Sequence, residues 1–317
     1  MPPQPSPDPL TSGPGGGAPA LSQTRGQNLR FTPIAIVGRA CVLPGALSPE
    51  QLWELVRDGI DATSPVDRDR WDLDHEVAIA KLGERTQQKT LGDRGGYVRG
   101  FDQVFDPLGF EGLSPREVLR LDPLVQWALH CGRAALEGVK GSRERSAVVM
   151  GNLSFPSETM TRHAEARWLK QAGVELDPGD IRNRFMSGLP AAILGRALGL
   201  SGQAFCLDSA CASGLVALKH AADLLQAGGT DLVLAGSVQR SDDLFLHVGF
   251  TALNALSPTG QSRPFHEEAD GLLPAEGCVL FALKRLDDAR RDGDVIHGVL
   301  RGIGTSNDAK GTGLLAP

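Results

Sequence analysis

From about Phe31 onward, short apolar runs alternate with longer stretches in which apolar residues recur every three or four positions. The runs Pro33 to Gly38, Ala147 to Met150, Gln203 to Leu207, Asp231 to Gly236, Cys278 to Leu283 and Val295 to Ile303 read as buried strands. Helical spacing predicts helices from Pro49, from Pro123 to about Gly138, over residues 157 to 171, from Leu189 to Leu200, and from Cys211 to a stop at Gly228-Gly229. Ser48-Pro49-Glu50-Gln51 and Ser114-Pro115-Arg116-Glu117 are capping boxes with proline at the first helical position, and the first opens a helix carrying Leu52, Leu55 and Val56. On the helix begun by Pro123, Leu124, Trp127, Ala128 and Cys131 share one face, which makes Cys131 a core residue. No segment repeats at a fixed period, and the alternation predicts an α/β fold around a mixed, largely buried sheet flanked by helices.

Two stretches break the pattern. Met1 to Arg30 is rich in proline and glycine with few large apolar residues, so a disordered tail is expected there, with folding from about Phe31 to Pro317. Residues 60 to 112, rich in Gly, Asp, Arg and Lys, read as a long exposed insertion.

Composition narrows the function class. Among 317 residues, 32 basic and 38 acidic side chains are well mixed and leave a net charge of -6, so no basic stripe offers itself to nucleic acid or to an anionic membrane. No apolar run has the length of a membrane span, and the amino-terminal stretch lacks the regions of a signal peptide. The five cysteines, at 41, 131, 206, 211 and 278, form no C-x-x-C pair, so neither a zinc site nor a disulfide framework is indicated, and a reducing, cytoplasmic setting is expected.

The candidate chemistry centres on Cys211. Gln203 to Leu207 delivers the chain as a strand, and Cys211, Gly214, Leu215, Leu218, Ala221, Ala222 and Leu225 fall on one helical face, so the helix starts close to the cysteine. Unpaired N–H groups and the positive end of the helix dipole favour negative charge on sulfur there. Ala210, Ala212, Ser213 and Gly214 leave room for a substrate to approach. The alternative is a small buried hydrophobe.

Asp208-Ser209-Ala210-Cys211-Ala212-Ser213-Gly214-Leu215 resembles the active-site signature of the β-ketoacyl synthases, the condensing enzymes of fatty-acid and polyketide assembly. Ala255-Leu256-Ser257-Pro258-Thr259-Gly260, Arg263-Pro264-Phe265, Ala269-Asp270-Gly271, Ala275-Glu276-Gly277 and Leu283-Lys284-Arg285-Leu286 resemble the run that follows it in that family. Upstream, Ile34 to Gly38, Asp61-Ala62-Thr63, Trp71-Asp72 and Leu121-Asp122-Pro123 are similar in the same order. The resemblance covers about residues 31 to 317 and implies the amino-terminal half of a thiolase-like fold. Arg94 to Tyr97 and Gly151 to Ser154 are closer to iterative polyketide or polyunsaturated-fatty-acid synthases than to modular ones. The family pattern is altered at Ala212 and Gly214, where serines are common, and at Pro274-Ala275, where Arg-Gly is common.

By that resemblance Cys211 takes an acyl group from a thioester on coenzyme A or on the phosphopantetheine of an acyl carrier protein, and no cofactor is bound directly. A malonyl thioester then loses carbon dioxide and its enolate attacks the acyl-cysteine. Two catalytic histidines are expected in the half that follows, beyond the last residue of this sequence, so condensation by the chain alone is not expected. His220 lies nine residues from Cys211 along the same helix, about 13 Å away, and is expected to be structural. His247 and His266 lack the His-Gly-Thr-Gly setting, and His75, His130, His163 and His297 read as structural or surface residues.

Glu276 and Asp270 read as turn residues, and Phe265 as lining an acyl pocket or packing the loop beneath it. Arg85, Lys89, Arg94 and Arg99 could meet an acidic carrier protein or lie in a solvated loop. Partners implied are an acyl carrier protein, a complementary carboxy-terminal half or other synthase domains, and a second copy in a homodimer. A non-catalytic interaction module or degenerate fragment is the alternative, and a cysteine hydrolase is disfavoured because Ala210 stands where a G-x-C-x-G elbow needs glycine nearby.

Overall fold

The computed structural model describes residues 31–71, 73–81 and 88–306; the expected tail, Asp72, Arg85 and the stretch from Asn307 onward lie outside these. The strands are β1 (Ile34–Val42), β2 (Ser64–Pro65), β3 (Arg94–Gly95), β4 (Ser146–Asn152), β5 (Ala204–Leu207), β6 (Leu232–Gln239), β7 (Gly277–Arg285) and β8 (Gly298–Leu300). The helices are α1 (Pro49–Asp58), α2 (His75–Ala78), α3 (Pro115–Arg120), α4 (Pro123–Ala135), α5 (Glu158–Gln171), α6 (Leu189–Ala197), α7 (Ser213–Gln226), α8 (Asp243–Ala252) and α9 (Leu286–Asp292).

Six strands form one mixed sheet in the order β5-β4-β6-β7-β1-β8. β4 runs parallel to β5 and β6, with Met150 opposite both Cys206 and Gly236. The pairs β6–β7, β7–β1 and β1–β8 are antiparallel. Every residue of β4 is buried, as a central strand covered on both faces requires. On one face Val148, Met150, Leu234, Leu280 and Ala282 join a core with Leu124, Val125, Leu129 and Leu194 of α4 and α6. Each of those leucines contributes about 1.5–3 kcal/mol by leaving water. Successive strand residues point to opposite faces, so the buried Ala147, Val149, Val233 and Ala235 face the other way, where α7 packs on β4 and β6. Its small residues Ala217, Ala221 and Ala222 let it lie close.

Helix starts follow the sequence signals, with one variation. At Ser114 both arms of the capping box form. Ser48 accepts the Gln51 N–H, but the Gln51 amide oxygen accepts from Leu47 N–H at 2.7 Å instead of from the cap residue itself. Asp122 caps α4, taking the Leu124 N–H at 2.8 Å. Cys131 is fully buried in the core.

Among the described residues between 60 and 112, the stretch is not simply an exposed insertion. Val66, Trp71, Ala78 and Tyr97 bury themselves in a small second core, while Phe101 and Phe110 enter the main one. Charged groups of the stretch pair across it: Arg94 with Asp61 at 3.0 Å and Arg99 with Asp67 at 2.9 Å. Two further expectations are corrected. β5 is half-buried because it is the sheet's edge strand. Val56 is 65% exposed, since α1 turns its half-buried Leu52 and Leu55 toward the fold and Val56 away from it.

Candidate active site

The sheet topology brings several strand ends to one rim. β4, β5 and β6 end there at Asn152, Leu207 and Gln239, the antiparallel β7 begins there at Gly277, and Leu43 follows β1 to the same place. The ends of β4, β6 and β7, Leu43, and the turn after β5 with Ala210 and Cys211 line a cleft of about 320 Å³. Ligand sites of α/β proteins favour the carboxyl ends of parallel strands, because the chain leaves the sheet there in loops free to diverge.

Cys211 sits on a tight turn between β5 and α7, and its side chain is exposed. α7 begins at Ser213, two residues later than the spacing of apolar residues predicts, with Ala212 as a cap that supplies no side-chain bond. Ala210 adopts φ 47°, a left-handed conformation that costs a non-glycine residue about 1–2 kcal/mol. The turn is held on both sides. Asp208 accepts the Ala210 N–H at 3.0 Å and the Ser154 N–H at 2.9 Å. Ser213 Oγ accepts the Ser209 N–H at 2.9 Å and donates to the Ala210 carbonyl at 2.6 Å. Those N–H donors hold the Asp208 carboxyl below the usual carboxylate range, Ser154 contributing most. Gly151 makes the close approach possible: a Cβ there would lie 2.7 Å from the Ser213 backbone. Among the described residues, the Cys211 N–H has no hydrogen-bond partner and is free to donate to a bound oxygen.

The other cysteines stand in contrast. Burial pushes the Cys206 and Cys41 thiols up to about 11 each, and it raises Cys131 as well. Cys278 is buried at the cleft wall. Cys211 is therefore the exposed thiol of the chain.

The helix face proposed around Cys211 is rotated from expectation. Ser213, Ala217, Ala221, Ala222 and Leu225 are buried, whereas Leu215 is 71% exposed and Leu218 is half-buried. Phe265 neither lines the cleft nor packs beneath its loop; it is fully exposed, at φ 65°. His220 is exposed and stands edge-on to Phe205. His247 is buried against Trp71, hydrogen-bonded through Nε2 to Tyr97 Oη at 2.9 Å, and desolvation lowers its pKa to about 4. His266 Nδ1 accepts the Glu268 N–H, and His297 lies on the surface. His75 lies tilted against Trp71, His130 packs edge-on against Phe101, and His163 meets the Pro178 carbonyl. None of the cleft-lining residues is a histidine.

Glu276 and Asp270 hold structure together. Asp270 accepts from Ser257 and Thr259 hydroxyls at 2.7 and 2.6 Å, tying the segment Ala255 to Gly260 to its neighbour. Glu276 accepts the Val98 N–H at 2.8 Å and pairs with Arg70. Spacing did not single out Arg70, Asp208 as a clamp, or Ser213, because their partners are distant in sequence or need the turn to be formed first.

Residues 31–289 match the family model of the β-ketoacyl synthase N-terminal domain. The chain belongs to the β-ketoacyl synthase family. This synthase chain is 36% identical over 297 residues to a phenolphthiocerol/phthiocerol polyketide synthase protein of Mycobacterium tuberculosis (strain CDC 1551 / Oshkosh), covering 90% of itself and 15% of that protein. It is 34% identical over 287 residues to the pikromycin polyketide synthase component PikAIII of Streptomyces venezuelae, covering 90% of itself and 18% of that protein. Among solved structures it is similar to the PfaC keto synthase-chain length factor, with a TM-score of 0.77, 30% identity, and coverage of 84% of this chain and 31% of that one. It is also similar to the ketosynthase from module 6 of the bacillaene synthase from Bacillus subtilis 168, with a TM-score of 0.70, 27% identity, and coverage of 90% and 46%. The β-ketoacyl synthase chain thus spans less than half the length of these relatives, and its mixed sheet with flanking helices is thiolase-like. Among the described residues, no helix is long and apolar enough to cross a membrane, and no group of three or more His, Cys, Asp or Glu side chains could hold a metal ion.

Proposed function

We propose that this chain contributes the acyl-binding half of a condensing site, with Cys211 as the nucleophile of acyl-chain elongation. The observation that carries the proposal is the exposed Cys211 thiol on a clamped turn ahead of α7, facing a cleft of about 320 Å³. The sulfur attacks the carbonyl of an acyl thioester, the carrier thiolate leaves, and the acyl group becomes a thioester on Cys211. The free Cys211 N–H is one donor to the oxyanion formed in that step. A malonyl thioester then loses carbon dioxide, its enolate carbon attacks the acyl-cysteine, and the Cys211 thiolate is expelled as the β-ketoacyl thioester forms.

The enolate oxygen needs proton-handling groups, and no histidine lines the cleft. A complementary half of the fold, or other synthase domains, supplies them under this proposal. The acyl substrate arrives on the phosphopantetheine of an acyl carrier protein, and the working assembly is a homodimer.

The test is intact-mass spectrometry after incubation with an acyl thioester. The wild-type protein gains one acyl group, Cys211→Ala gains none, and adding the complementary half with malonyl thioester restores condensation. No Cys211-dependent adduct, and no gain from the partner, would instead identify a non-catalytic interaction module.

A further inference from the structure

Three cavities follow one another beyond the end of β6. Gln239, Ala275 and Glu276 line both the Cys211 cleft and a small cavity of about 10 Å³. Ser241 and Asp243 line both that small cavity and a second cleft of about 340 Å³. The two large spaces are therefore neighbours, separated by the side chains around the small one.

The separation is a buried charged bridge. Arg70 Nη1 donates to Glu276 Oε1 at 3.0 Å and Arg70 Nη2 to Asp243 Oδ1 at 3.3 Å, with a second, shorter contact to each carboxylate. The three side chains are 14%, 5% and 12% exposed, respectively. The Arg70 guanidinium also lies 4.9 Å from the Tyr97 ring centroid, and Glu276 is pinned by the Val98 N–H. Beside them Gln239 Nε2 donates to Ser241 Oγ at 2.9 Å, while the buried Gln239 Oε1 has no partner among the described residues.

Beyond this bridge the second cleft sets Trp71, Leu73 and Leu244 among the charged Glu158, Glu165, Arg240 and Asp242, whereas on the Cys211 side Leu43, Val238 and Val279 form an apolar wall. A hydrocarbon chain held on Cys211 gains up to about fourfold in binding for each methylene that leaves water against such a wall. The gain ends where the next position is an ion pair, because parting the pair would leave its charges buried and unpaired.

We infer that the Arg70, Glu276 and Asp243 bridge is the end wall of the acyl compartment and limits the length of the chain that Cys211 accepts. The second cleft is the volume a longer chain would reach if the wall were removed. This rests on the proposed role of Cys211 as the acyl carrier.

The test uses the whole protein and straight-chain acyl N-acetylcysteamine thioesters from acetyl to dodecanoyl, with kcat/KM for Cys211 acylation read by intact mass. The combined variant Arg70→Ala, Asp243→Ala, Glu276→Ala removes all three charges together and so strands none. Gln239→Ala thins the same wall without touching the bridge and serves if the combined variant does not fold. In the wild type kcat/KM rises with length and then falls by about tenfold, and in either variant that fall moves to longer chains. An identical length profile in wild type and folded variants overturns the inference.

If the wild type takes no acyl group from any thioester, the acyl-carrier proposal fails and the wall is judged separately. Straight-chain alkyl methanethiosulfonates place an alkylthio group on Cys211 through a disulfide, releasing methanesulfinate. The melting temperature of the labelled protein then rises with chain length to a plateau, reached at a shorter chain in the wild type than in the variants. Plateaus at the same length overturn the inference.

Discussion

The Asp208 carboxylate accepts the Ser154 N–H at 2.9 Å, which makes the loop after β4 and the turn carrying Cys211 one piece. Because the Ala210 N–H binds the other oxygen, a single side chain spans the left-handed residue next to the thiol. Asp208→Ala removes both bonds. The expected result is a slower, less specific reaction of Cys211 with acyl thioesters and a small loss of stability, with Asp208→Asn keeping part of each. Rates of adduct formation and melting temperatures check this.

Its pH dependence has a definite sign. The native carboxyl is held below its unfolded value of about 3.9, so its stabilising contribution is complete above that value and fades as pH falls through the lower native one. Acid titration of the wild type against Asp208→Asn, followed by circular dichroism, should show the difference confined to that range.

Gly151 stands where β4 meets the first residue of α7. A Cβ at this position would lie 2.7–2.8 Å from Ser213 atoms, and the contacts involve backbone as well as side chain. Gly151→Ala is expected to cost about 1–3 kcal/mol and to displace the Cys211 turn. Chemical denaturation measures the first effect, and the rate of Cys211 alkylation by iodoacetamide measures the second.

Tyr97 and His247 form a buried pair whose imidazole is kept neutral by desolvation, its pKa lowered to about 4. The unfolded chain binds a proton to this histidine near pH 6.5. Stability should therefore fall as pH drops below that point, by a few kcal/mol at about pH 4. Asp243, raised to about 6 chiefly by burial, acts oppositely over an overlapping window, since the folded state holds its proton more tightly. Comparison with His247→Gln isolates the histidine: the variant should lose the acid-side decline that belongs to it.

Phe265 combines φ 65° with complete exposure. Phe265→Gly relieves the left-handed strain, removes no buried contact, and should leave stability unchanged or raise it by up to about 1 kcal/mol. A clear fall in melting temperature would show that the ring is packed against something in solution.

The sheet was legible because Ala147 to Met150 and Leu232 to Gly236 are uninterrupted apolar runs, and local signals at Ser114 and Pro123 placed helix starts to the residue. The exposure of Cys211 on a turn between a strand and a helix was legible from its small neighbours. The helix face after it was not, because the turn continues through Ala212 and α7 buries Ser213 and Ala217 in place of Leu215. The stretch from residue 60 to 112 misled because polar composition suggests exposure, whereas Arg70, Arg94 and Arg99 each find carboxylates that composition alone cannot pair. Phe265 shows the converse: an aromatic residue read as a lining group has nothing to line.

The rim that surrounds Cys211 is assembled from β1, β4, β5, β6 and β7, each contributing a short piece of chain as it leaves or enters the sheet. Such an arrangement divides labour between a fixed frame and replaceable edges. Loops can be exchanged one at a time to retune which molecules are admitted, while the sulfur and its clamp stay where the frame holds them. A scaffold of this kind lends itself to stepwise diversification by nature and by design alike.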